Sequence, residues 1–111
     1  MMLKKAAMGL GLALAMSLCQ TAIAAEWQYC LAPSNDEHKI YLSGVFATNA
    51  GVGSADSSFE QALVQARLSH DEVQCPRADN EKSIMAMLQD AVAYNQKIGR
   101  KVVYVRWEPG R

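Results

Sequence analysis

Between Glu26 and Ala32 apolar and polar residues alternate: Trp27, Tyr29 and Leu31 fall on one side, Gln28 and Cys30 on the other. A period of two predicts a β-strand. Pro33-Ser34-Asn35-Asp36-Glu37 is dense in turn formers. Lys39 to Thr48 then carries Ile40, Tyr41, Leu42, Val45 and Phe46, a second strand that pairs with the first as a hairpin. Gly44 inside it marks a bulge. Ala47 to Ala55 is small, polar and glycine-rich, and predicts a mobile surface loop.

The period then changes. Phe59, Ala62, Leu63 and Ala66 recur at helical spacing, and Ser57-Ser58-Phe59-Glu60 has the form of a capping box, so a helix is predicted from Ser57 to about Leu68. Glu72 to Cys75 reads as a short third strand stopped by Pro76. Asp79 and Asn80 are N-cap candidates for a longer helix, with a stripe of Ile84, Met87, Leu88, Ala91, Tyr94 or Asn95, and Ile98. Gly99 stands where a left-handed residue would end it, and Lys97, Arg100 and Lys101 suit the negative end of its dipole. Val102 to Trp107 is a fourth strand, with Val103, Val105 and Trp107 on one face.

The order ββαβαβ predicts an α+β fold, a two-layer sandwich in which a four-stranded mixed sheet carries both helices on one face. No internal repeat or linker interrupts it.

The first 24 residues do not fit this pattern. Lys4 and Lys5 precede an apolar run from Ala6 to Leu18, and Ala22-Ile23-Ala24 is a small-x-small cleavage site, so a secretory signal peptide of bacterial type is expected, cut after Ala24. The apolar run is too short for a membrane span. Cys19 lacks the small preceding residue of a lipid-attachment site, because Leu18 is there. Removing 24 of the 111 residues leaves 87, enough for one small domain spanning 25–111. The 11 basic and 11 acidic residues of the whole chain become 9 and 11 once Lys4 and Lys5 are gone, with no long run of one sign. That argues against nucleic acid as a partner and gives no support for anionic lipid. Cys30 and Cys75 remain as an even pair in an oxidising compartment, periplasmic or extracellular, and a structural disulfide between them is expected. It would place the first strand between the second and third.

Candidate chemistry is sparse. Asp36, His38, His70 and Asp71 could be imagined as metal ligands of a small hydrolase, but the HExxH spacing and a third histidine are absent. Ser54, Ser57 and Ser58 lack a Gly-x-Ser-x-Gly context and read as helix-capping residues. No metal, cofactor or catalytic residue is therefore assigned. The apolar run Ile84-Met85-Ala86-Met87-Leu88 exceeds one buried stripe, and Met85 falls off the Ile84–Leu88 direction, as part of a wide helix face pressed on the sheet or of an adaptable binding surface. With both helices on one side, the other face of the sheet would present Tyr41, Tyr104 and Arg106, residue types that anchor protein interfaces. The sequence thus suggests a small exported non-enzymatic module binding a protein of the envelope or exterior, of inhibitor or immunity type. Small-ligand or cell-wall-glycan binding through the 47–55 loop and nearby aromatic residues is the alternative.

Overall fold

The structure, a computed structural model, describes residues 26–49 and 53–109. The expected signal peptide with Cys19, and the centre of the 47–55 loop, lie outside the described residues. The predicted first strand is two strands, β1 (Glu26–Gln28) and β2 (Leu31–Ser34). The second is likewise β3 (Lys39–Leu42) and β4 (Phe46–Thr48). They form one antiparallel hairpin, with Gln28 opposite Phe46 and Leu31 opposite Leu42. Between these ladders Tyr29-Cys30 face three residues, Ser43-Gly44-Val45, so one residue is extra and the hairpin carries a bulge at Gly44. Ser43 satisfies the interrupted backbone: its Oγ accepts from the Cys30 N–H at 2.8 Å, and its N–H donates to the Cys30 carbonyl at 2.9 Å. The slip also reverses the facing of everything beyond it, which brings Phe46 into the same core as Tyr41.

The bulge explains why the chain has two three-stranded sheets where one four-stranded sheet was expected. After β4 come α1 (Ser54–Gln65), β5 (Arg77–Ala78), α2 (Glu81–Lys97) and β6 (Lys101–Tyr104). The sheets have the orders β4-β1-β5 and β2-β3-β6. The third strand is also thinner than expected and displaced. Leu31 and Gln74 exchange backbone bonds of 2.7 and 2.9 Å, and Gln28 and Trp27 pair with Arg77 and Ala78. Pro76, which has no N–H to donate, sits in the gap. One register runs through all these pairs and sets Cys75 opposite Cys30. The two are bonded, with Cα atoms 4.0 Å apart. Gln28, itself buried, donates to the Cys75 carbonyl.

The fourth strand, β6, lies parallel to β3, from Lys39 opposite Lys101 to Leu42 opposite Tyr104. The spatial order of the four predicted strands is thus three, one, two, four. That order corrects the layering. The connection through α1 runs across the hairpin in one direction, and the connection through α2 runs back in the other. Two crossovers of the same hand going opposite ways pass over opposite faces. Accordingly there are two cores, with the hairpin between them. Phe59 and Leu63 of α1 pack with Cys30, Ala32, Tyr41 and Phe46. Ile84 and Leu88 of α2 pack with Tyr29, Ile40 and Leu42, residues of the other parity. The helices are therefore on both faces, not one. Trp107 belongs to the α1 side, edge-on to Phe46 and Phe59, and Trp27 to the α2 side.

The helix ends follow local chemistry. Asn80 caps α2 by accepting from the Ser83 N–H at 2.8 Å. Gly99, at φ 89°, ends it: the Gly99 and Arg100 N–H groups donate to the Gln96 and Asn95 carbonyls. α1 ends the same way without a glycine. Arg67 takes φ 60°, and the Arg67 and Leu68 N–H groups donate to the Val64 and Leu63 carbonyls. α1 also starts three residues before the expected capping box. Gly53 leads into it, its carbonyl accepting from the Ser57 N–H, so Ser57 and Ser58 lie inside the helix.

Candidate functional site

Tyr41, Tyr104 and Arg106 were expected to share a helix-free face. Tyr41 lies opposite Val103 and so shares its side of the sheet, while Tyr104, opposite Leu42, is on the other side. Tyr41 is 2% exposed in the α1-side core, and its hydroxyl reaches Glu37 Oε1 at 3.5 Å. Among the described residues each face of the hairpin is covered by a helix. Tyr104 and Arg106, by contrast, are brought together at the surface. Tyr104 is 59% exposed, and both residues line a groove of about 610 Å³.

The backbone builds that groove. The Val105 N–H donates to the Leu42 carbonyl at 2.7 Å, one residue past the end of β6. Beyond it the chain leaves β3 at the point where the bulge turns Gly44 and Val45. The groove is the wedge between Gly44-Val45 and residues 104–108. Trp107, which packs on the α1-side core, also lines it. Among the described residues β6 has β3 as its single neighbour, so its outer N–H and C=O groups are open along an edge. Tyr104 also borders a second groove of about 310 Å³ against α2, with Met85, Leu88, Val92 and Gln96. Met85 and Met87 are 39% and 37% exposed. Met87, predicted on the buried stripe, stands at the surface. So do Tyr94 and Ile98, and the buried line of α2 is Ile84, Leu88 and Asn95.

The histidines take up separate local roles. His70 is held by the Leu68 carbonyl at Nδ1 and by Glu60 Oε1 at Nε2, both at 2.8 Å. Both partners are acceptors, so the imidazolium, with two N–H groups, is the form that satisfies both. Burial pulls its pKa down, but the Leu68 carbonyl and the Glu60 carboxylate outweigh that and hold it above the ordinary histidine value. His38 is exposed in the hairpin turn at φ 55°, and its carbonyl accepts from the Lys101 N–H at 2.8 Å. Asp71 Oδ2 accepts from the Asn35 N–H at 2.9 Å. Among the described residues no group of three His, Cys, Asp or Glu side chains is placed to hold a metal ion.

One linkage had no sequence signal. Asn95, 5% exposed, donates to the Ala91 carbonyl and accepts from Arg100 Nη1 at 2.8 Å, while Arg100 Nη2 donates to Asn35 Oδ1 at 2.7 Å. It ties the end of α2 to the hairpin turn 65 positions earlier. Compared with protein-family models, curated proteins and solved structures, the chain matches none.

Proposed function

We propose that the protein is a small non-enzymatic binding module of the cell envelope or exterior that takes a protein partner, of inhibitor or immunity type, at the β6 edge. The observation that carries this reading is the placement of Tyr104 and Arg106, exposed beside an open strand edge and the 610 Å³ groove. An open edge supplies backbone bonds to an added strand, and flanking aromatic and guanidinium groups supply the anchors. The disulfide is compatible with an oxidising compartment. The test is capture of a partner from an envelope extract by the oxidised protein, followed by titration of that partner. Tyr104→Ala and Arg106→Ala should each weaken binding about tenfold or more while leaving the melting temperature nearly unchanged. A partner held equally well by the double variant would sink the assignment to this edge.

A further inference from the structure

A third groove, distinct from the two that Tyr104 borders, holds two opposite charges that do not meet. It has a volume of about 310 Å³, with Leu31, Ile40 and Ala91 among its walls and Tyr94 at its rim. Arg100 and Glu72 both line it, and neither forms an ion pair with any described residue. The Arg100 guanidinium is fixed in place by two neutral amides, Asn95 and Asn35, which orient it without cancelling its charge. Those bonds use two of its five N–H donors, and the other three have no acceptor among the described residues. Asn95, which positions it, is itself buried and anchored to Ala91, so the guanidinium is preorganised rather than free to swing. Asp71 is engaged by the Asn35 N–H and is not among the residues lining the groove.

We propose that this groove binds a small zwitterion, an amino acid or dipeptide with an aliphatic side chain. Its carboxylate sits on Arg100, its ammonium at Glu72 and its side chain against Leu31, Ile40 and Ala91. A guanidinium matches a carboxylate in fork geometry, and a free carboxylate across an apolar floor selects a ligand with a complementary cation. The site is separate from the β6 edge, and neither Tyr104 nor Arg106 touches it.

The experiment is a ¹H–¹⁵N NMR titration of the oxidised protein with the dipeptide Leu-Ala at millimolar concentrations, beside its N-acetylated and C-amidated forms. Saturable shifts at the Gln74, Ala91 and Arg100 amides are expected. Each cap should weaken binding about tenfold, the scale of one lost charge-assisted bond. Arg100→Gln should abolish the preference for a free carboxylate. Should that variant melt early because the turn is freed, Glu72→Gln, at an exposed position, carries the test by making free and acetylated dipeptides bind alike. The absence of saturable shifts, or equal binding of the free, N-acetylated and C-amidated dipeptides, would overturn the proposal.

Discussion

Opening the Cys30–Cys75 bond is the most informative perturbation of this fold. The bond spans a sequence separation of 45, so it closes a ring of about 46 residues. In the chain-entropy account, opening such a ring releases about 4 kcal/mol of unfolded-state entropy. Besides the bond, the third strand is held to the first by two paired residues at β5, the bridge between Leu31 and Gln74, the Asp71 N–H on the Pro33 carbonyl, the Gln28 side chain on the Cys75 carbonyl and the half-exposed Arg77–Glu26 ion pair. A domain of this size has a total stability of about 5–10 kcal/mol. The bond therefore accounts for a large share of it. The assay is urea unfolding followed by circular dichroism at 25 °C, comparing oxidised protein, reduced protein and Cys30→Ala/Cys75→Ala. With a slope of about 1 kcal/mol per molar urea, the midpoint should fall by about 4 M on reduction. The double variant should fall at least as far, because both sulfurs lie in the α1-side core. Oxidised and reduced midpoints within about 0.5 M of each other would refute the reasoning. The ladder alone would then be sufficient to dock the third strand.

The other expectations concern the helix ends and His70. Gly99→Ala should destabilise by about 1 kcal/mol, since no atom crowds the new Cβ and the positive φ alone sets the cost; thermal melting checks it. Arg67→Gly should do the reverse at the end of α1 and stabilise by about 0.5 kcal/mol in the same assay. Because the folded pKa of His70 is raised, its contribution is fully present below the ordinary histidine pKa and is lost as pH rises through the folded value. The urea midpoint should therefore fall across that window, and His70→Gln should flatten the fall; an NMR titration of His70 below the ordinary value would contradict the assignment.

Local chemistry was legible in the sequence wherever one residue decides it. Asn80 as a cap, Gly99 as a stop, Gly44 as a bulge and the cysteine pair all stand where their physics placed them. The end of α1 was less marked, because an arginine occupies the left-handed position that glycine usually takes. Layering was missed although a signal existed. Ile40-Tyr41-Leu42 is a continuous apolar run, and all three side chains are buried. Strands covered on both faces read that way, whereas a half-covered sheet alternates. Placing Tyr41 with Tyr104 depended on the β3–β6 register, which no local pattern encodes. Tyr104 and Arg106 were legible as surface residues because they alternate with Val103, Val105 and Trp107 along one extended segment. The Asn95–Arg100–Asn35 linkage depends on tertiary proximity and has no counterpart in spacing.

The position of the disulfide also divides the molecule by covalent connectivity. Every buried member of the α1-side core, from Cys30 through Phe59 and Leu63 to Cys75, lies within the ring that the bond closes. The α2-side core draws Ile84 and Leu88 from chain outside that ring. Loss of the chain from α2 onward would strip Val103, Val105 and Trp107 from the α1-side core yet leave its buried residues on one covalent ring, whereas the α2-side core would lose Ile84 and Leu88 themselves. Amide hydrogens of α2 and β6 should then exchange through a partial opening that leaves those of α1 protected. In this sense the protein is a tethered loop with its own interior, against which the C-terminal helix and strand close as a separable cover.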